Sequence, residues 1–407
     1  MADRPMHKRS WLLLVLVLLV WSYFARPVYD FAWIVSGRLY DMAAARIGSP
    51  TLRMKRQDVV DRALAQGDEI AAYLRALRDA VPRVAASPAL DFSSIEAFSR
   101  SAQASRARLS QSLRYPPPGF DVPLTQPVVE SAIGADEFAT YRELKIPVLP
   151  GVYATGIYMR PKSADDQKKL PLVISAAGRG GMPAETPDGL LKGMGKSRRN
   201  LAWDALQHGY AVWMPTYVHY GRDGDDFRDR LTVRAWEAGT SLPAIEIAKT
   251  VKALDVLLKR PDIDPQRVAM MGHSYGGFYT LYTTALDPRI RVAVVAAYFN
   301  DREAVLDSSE PNGFLDWRYP DALTLWRDPS VAALVAPRPL LIEAGNQDPL
   351  FPIQGARKAA PEAAALYQRL GIGDRFEFRE FVGRHDFDGE AAMAFIDRQL
   401  GGGAARD

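Results

Sequence analysis

Arg267-Val268-Ala269-Met270-Met271-Gly272-His273-Ser274-Tyr275-Gly276-Gly277-Phe278-Tyr279-Thr280-Leu281 is the stretch that decides the architecture. RVAMM is an apolar run of strand type, and FYTLYTTAL, ending at Leu286, has helical length and composition. Between them stands Gly-x-Ser-x-Gly, so a strand passes into a helix across a serine. Such a turn holds Ser274 in a strained conformation with its hydroxyl projecting. Gly272 and Gly276 remove the side chains that would collide where strand meets helix. The plainer reading is that Ser274 is a helix N-cap.

Outward from this turn, the chain alternates strand-like and helix-like segments. LKIPVLPGVYATGIYMRP (144–161) reads as a hairpin. LPLVISAA (170–177), YAVWMPT (210–216), RVAMMG (267–272), RVAVVAA (291–297), PLLIEAG (339–345) and FEFREF (376–381) read as strands. Helical stretches lie at 197–208, 243–260, 275–286, 354–370 and 388–399. This alternation predicts an α/β fold with a mostly parallel central sheet covered by helices on both faces. Ligands of such sheets bind at the carboxyl ends of strands.

A serine hydroxyl attacks carbonyls only when a base takes its proton, and the chain has five histidines. His7 lies in the N-terminal tail, His208 precedes a strand, and His273, beside the serine, is expected to point elsewhere. His219 follows an early strand. His385 follows the last strand and comes after the serine in chain order, so it is the expected base. Asp348, in Gly345-Asn346-Gln347-Asp348-Pro349, is the expected carboxylate partner, with Asp301 as runner-up. An aspartate before proline is also a common turn residue. The expected oxyanion donors are the backbone N–H groups of Tyr275 and of Arg179, in the loop Ala177-Gly178-Arg179-Gly180-Gly181. That loop lacks the spacings of nucleotide-binding glycine motifs, and there is no H-E-x-x-H, so neither a cofactor nor a metal is expected.

The N-terminal region differs in kind. Arg4, Lys8 and Arg9 precede an uncharged run at 11–25 (WLLLVLVLLVWSYFA), which is shorter than the ~20 residues of a comfortable span. No small-x-small pair follows closely, and Trp21, Tyr23, Phe24, Tyr29 and Trp33 resemble an interfacial belt. Residues 1–26 are therefore read as a basic tail and uncleaved anchor, with a cleaved signal and secretion as the alternative. The positive-inside rule places the rest outside the cytoplasm. Residues 27–118 form a helical region. Helix 57–81 places Val60, Ala63, Leu64, Ile70, Leu74, Leu77 and Val81 on one face, expected to pack as a collar on the next domain. A second helix, 93–114, opens with Ser93-x-x-Glu96 as a capping box and ends before Pro116-Pro117-Pro118. Residues 119–401 are the expected catalytic domain.

Composition limits the partners. Of 407 residues 48% are hydrophobic and 24% charged, as in a folded globular chain, and the net charge of +3 is too small to drive nucleic-acid binding. The absence of cysteine excludes disulfides and thiolate chemistry.

With these motifs in place, the region from about 120 to 400 resembles an α/β-hydrolase. Ala336-Pro337-Arg338-Pro339-Leu340-Leu341 running into Gly345 and Asp348-Pro349-Leu350-Phe351-Pro352 is similar to the acetyl xylan esterase-like and dienelactone hydrolase-like branch. The resemblance implies Ser274 as nucleophile, Asp348 as acid and His385 as base. Many relatives carry His-Gly where this chain has Ala177-Gly178. The resemblance points to an enzyme cleaving carboxylic esters, a carbohydrate acetyl esterase among the candidates. Tyr217, Tyr220, Trp236, Trp317, Tyr319 and Trp326 are candidate pocket walls. Asp264-Pro265-x-Arg267 before the elbow is also similar to prolyl oligopeptidases, so a serine exopeptidase is a second reading. A catalytically silent binding protein is a third.

Overall fold

The computed structural model describes residues 35, 56–80, 90–165, 168–179, 201–218, 225–306 and 315–401. The chain divides into two compact units, Met1–Arg78 and Asp79–Asp407. The basic tail and apolar run at 1–26 lie outside the described residues, and among the described residues no helix is long and apolar enough to cross a membrane.

The first unit is represented by α1, Arg56–Asp79, close to the predicted 57–81. Leu64, Ile70, Leu74 and Leu77 of the stripe read from its sequence are exposed side chains on this helix.

The second unit starts before the region expected as the catalytic domain, because α2, Ile95–Leu113, is part of its core. Phe98, Ala102, Leu109 and Leu113 are buried in the main cluster, and Ser112 Oγ accepts the Trp326 indole N–H at 2.8 Å. The cap is one residue later than the sequence suggested. Ser94 adopts the extended conformation and accepts the Ala97 N–H at 3.0 Å, while the Ser93 N–H goes to Asp91.

A nine-stranded sheet follows, in the order β1-β2-β3-β5-β4-β6-β7-β8-β9. β1 (Val129–Ala135), β2 (Ala139–Leu149) and β3 (Val152–Pro161) form an antiparallel edge, of which β2 and β3 are the predicted hairpin and β1 was not anticipated. β3 pairs antiparallel with β5 (Ala211–Pro215). From there the pairing is parallel through β4 (Leu170–Ala176), β6 (Ile263–His273), β7 (Val292–Ala296), β8 (Leu340–Gly345) and β9 (Phe376–Phe381).

Helices cover both faces, which is why the central strands are apolar on both sides. One face carries Ile174, Met270, Val295 and Ile342 against α5 (Leu242–Leu257), α6 (Tyr275–Leu286), α8 (Asp328–Val335) and α9 (Ile353–Arg369). The other carries Val173, Met271, Val294 and Leu341 against α3 (Leu201–Gln207) and α10 (Gly389–Leu400). Fully burying each such side chain stabilises the fold by roughly 1.5–3 kcal/mol. Two further helices, α4 (Asp225–Glu237) and α7 (Arg302–Leu306), lie in connections after β5 and β7. β4 is flanked by β5 on one side and β6 on the other, so the chain reverses direction of winding there, and the loops after β4, β6, β8 and β9 open at the same edge.

Candidate active site

The elbow between β6 and α6 has the predicted strain. Ser274 lies at φ 57° and ψ −116°, a region that side-chain-bearing residues rarely occupy. The close approach of strand and helix demands glycine at two places. A Cβ on Gly272 would fall 2.2 Å from the Gly276 carbonyl oxygen, and one on Gly276 would fall 1.9 Å from that of Ala176. Ser274 occupies the N-cap position of α6, but its side chain makes no capping hydrogen bond. The hydroxyl is used elsewhere.

His385 Nε2 is 2.7 Å from Ser274 Oγ, and His385 Nδ1 is 2.8 Å from Asp348 Oδ2. An ionised carboxylate only accepts, so the Nδ1 proton faces Asp348 and Nε2 is left to accept from the serine hydroxyl. The other oxygen of Asp348 accepts the N–H groups of Leu350 at 2.8 Å and Phe351 at 3.1 Å. Asp348 is thus both a turn residue and the histidine's partner. Three loops, each at the carboxyl end of a different strand, meet in this chain of hydrogen bonds.

The sequence model described as the alpha/beta hydrolase family matches residues 193–400, more than half of the chain. The chain belongs to the alpha/beta hydrolase family. YtaP of Bacillus subtilis (strain 168), named as a hydrolase, is 25% identical over 258 residues, which cover 61% of this chain and 84% of YtaP. YuxL of the same organism, named as an uncharacterized peptidase, is 26% identical over 254 residues, which cover 59% of this chain and 36% of YuxL. A Bacteroides fragilis structure described as an acetyl xylan esterase superposes with a TM-score of 0.59 at 16% identity, covering 76% of this chain and 81% of that one. At that identity the likeness is one of fold. The alpha/beta hydrolase family implied by the motifs is the one found.

Around the three residues, this alpha/beta hydrolase builds walls that the sequence showed only in part. Phe351 stacks on the His385 ring, with centroids 5.6 Å apart and planes 12° apart, and Trp317 meets Phe351 at 5.8 Å. His273 does not point away from the site as expected. Its ring lies 4.7 Å from that of His385 and 5.9 Å from that of Phe387. On the serine side, the Arg228 guanidinium sits 4.6 Å over the Tyr275 ring, fully buried and paired with buried Asp316. Burial pushes the Tyr275 phenol up to about 12, with Arg228 acting in the opposite direction. Phe351 lies in the Asp348–Pro352 motif but nothing in the sequence marked it as a partner of His385, and Arg228 carried no sequence signal beyond its type, because both contacts arise from tertiary packing.

The remaining candidates separate clearly. Asp301 pairs with Lys358 at 2.5 Å and His208 with Asp397 at 2.7 Å, so neither joins the chain of bonds. Tyr319 bonds Tyr282 at 2.6 Å, and Trp326 is tied to Ser112, so both are packing residues. Tyr217 is buried and stacked on Tyr279 at 4.6 Å, and Trp236 is exposed on α4. His219, Tyr220 and the loop after Arg179 lie outside the described residues. Tyr275 is the first residue of α6, where backbone N–H groups have no partner within the helix. Gly178 runs against His273, where an added Cβ would lie 2.8 Å from Nδ1. Among the described residues no group of three or more histidines and carboxylates is placed to hold a metal ion.

Proposed function

We propose that the protein is a serine hydrolase of carboxylic esters acting through an acyl-enzyme. The observation that carries the reading is the hydrogen-bonded chain Ser274 Oγ, His385, Asp348, on a strained turn that frees the hydroxyl from capping. His385 Nε2 takes the hydroxyl proton as Ser274 Oγ attacks the ester carbonyl. Asp348 stabilises the resulting imidazolium and keeps its proton on Nδ1. The oxyanion is received by the N–H groups of Tyr275 and Arg179. His385 then protonates the departing alcohol; in the second half it takes a proton from water as the water oxygen attacks the acyl carbonyl, and returns that proton to Ser274 Oγ as the acyl–Oγ bond breaks and the acid leaves.

The substrate class is a carbohydrate ester, acetyl esters first among them. An acetyl xylan esterase among the structural neighbours supports it. A second reading, serine peptidase, is favoured by the relative YuxL, of which the chain spans about a third. The place of action is extracytoplasmic, through residues 1–26 as an anchor or cleaved signal. Membrane fractionation of cells producing the chain tests this.

The deciding experiment compares hydrolysis of a chromogenic acetyl ester by wild type and by Ser274→Ala, both shown to be folded, alongside chromogenic peptides. Ester turnover that is lost in the variant supports the reading. Equal rates in both proteins, or turnover of peptides alone, overturns it.

A further inference from the structure

β8 carries one acidic residue in an apolar run, Leu340-Leu341-Ile342-Glu343-Ala344-Gly345, and the proposed chemistry leaves it unused. Glu343 is buried. A carboxyl inside a sheet core is unfavourable unless it bonds something fixed. Its Oε2 accepts the backbone N–H of Asp388 at 3.0 Å, and its Oε1 is buried with no hydrogen-bond partner among the described residues.

Asp388 is where the loop bearing His385 ends and α10 begins. Its Oδ1 accepts the Ala391 N–H at 3.3 Å as the helix cap, and its Oδ2 accepts from Arg379 at 2.8 Å. The opposite end of the loop is tied to the Asp348 turn, with the Asn346 N–H donating to Phe381 at 2.9 Å and the Gln347 N–H to Gly383 at 2.8 Å. His385 therefore hangs between two fixed points. One is made by backbone; the other is made by the Glu343 carboxyl.

Strand register adds a second link. His273, Ala296, Glu343 and Arg379 form one row across β6, β7, β8 and β9. Residues in one row of a parallel sheet project from the same face. Glu343 and His273 thus share a face with only the Ala296 methyl between them, and His273 packs on both His385 and Phe387.

We propose that Glu343 is a positioning residue for His385, seating the loop that carries the base through its bond to Asp388. The inference rests on the serine-hydrolase reading. Burial, outweighing the Asp388 N–H and Arg379, pushes the Glu343 carboxyl up to about 8, so near neutral pH it is largely protonated and still accepts from Asp388. The charged and titratable groups around it are His273 on β6, Arg379 on β9, Asp388 and Glu390 at the head of α10, and Asp204 on α3, whose carboxylate approaches Gly389. Ionisation of Glu343 places a negative charge in this set, so it adds an inflection to the pH profile.

The test uses full-length Glu343→Leu and Glu343→Gln, reading kcat, KM, unfolding temperature, amide exchange at Asp388 and the imidazole NMR signals of His385. Glu343→Leu is expected to lower kcat about tenfold or more with KM within about threefold, to speed Asp388 exchange at least about tenfold, and to shift the His385 signals. Glu343→Gln is expected to restore kcat to within about threefold and to remove the inflection near pH 8. Wild-type kcat or unchanged Asp388 exchange in Glu343→Leu overturns the proposal. So does an equal loss in both variants that tracks a lowered unfolding temperature. If wild type and Ser274→Ala are equally inert, the serine-hydrolase reading fails. The Asp388 exchange and His385 signals still decide the placement: altered in Glu343→Leu they support it, unaltered they overturn it.

Discussion

Phe351 lies flat on His385 and donates its backbone N–H to Asp348, so a single short turn supplies both the carboxylate and the face that shields the imidazole. Trp317 covers Phe351 in turn. Excluding water here strengthens the electrostatic coupling of the histidine to its partner. Phe351→Leu keeps an apolar side chain but loses the flat contact. We expect kcat for an acetyl ester to fall about tenfold and stability to drop by about 1–2 kcal/mol, measured by steady-state kinetics and denaturant unfolding. Unchanged kcat would show that the stacking is packing alone.

The elbow stores strain, and the strain is removable. Ser274 holds φ 57° without the freedom of glycine. Ser274→Gly should relieve the turn, whereas Ser274→Ala should retain the strain while deleting the hydroxyl. The expected outcome is that both variants are inactive and that the glycine variant is more stable by about 1 kcal/mol. Paired thermal melts check this, and equal melting temperatures would contradict it.

Glu343 ties stability to pH. Its folded-state pKa is raised by burial to about 8 from an ordinary value of 4.5. The folded state therefore holds a proton that the unfolded chain has already released. The stability this contributes is fully present below pH 4.5 and is lost as pH rises towards 8, at up to about 1.4 kcal/mol per unit. Between those limits the wild type should lose stability relative to Glu343→Gln, whose amide does not titrate. Parallel stability curves for the two proteins would refute the assignment.

The buried pair of Arg228 and Asp316 gives a further contrast. Both side chains are almost wholly excluded from solvent. Asp316→Asn leaves the guanidinium charge buried without its counter-charge and should cost about 3 kcal/mol. The double change Arg228→Met with Asp316→Leu should recover most of that loss. Denaturant titrations of the three proteins measure it, and a silent Asp316→Asn would mean that the pair is not electrostatically coupled.

Much of this was legible from local signals. The strand-Gly-x-Ser-x-Gly-helix turn is written in consecutive residues, so Ser274, β6 and the range of α6 could be read directly. The helices at 353–369 and 389–400 fell within a few residues of their predicted spans because their periodicity is strong, and 242–257, apolar around most of its surface, was read from the length of its apolar run. Misses have equally local reasons. β1 is largely exposed and carries little apolar patterning, and α4 is dominated by charged residues, so neither announced itself.

By itself the sequence determined the alternation of elements, the turn that must bear the serine, and the chain order that singled out His385 and Asp348. These depend on residue type and spacing, which the backbone turns into geometry within a few residues. Only the tertiary structure decided that Ser274 bonds His385 and not its own helix, that His273 and Phe351 lie against the His385 ring, that Arg228 lies over Tyr275, and that Glu343 accepts the Asp388 N–H. Those relationships join residues tens to more than a hundred positions apart, and they arise from strand register and from loops meeting at one edge of the sheet. No local pattern encodes them, because what sets them is the packing of the whole sheet and its helices.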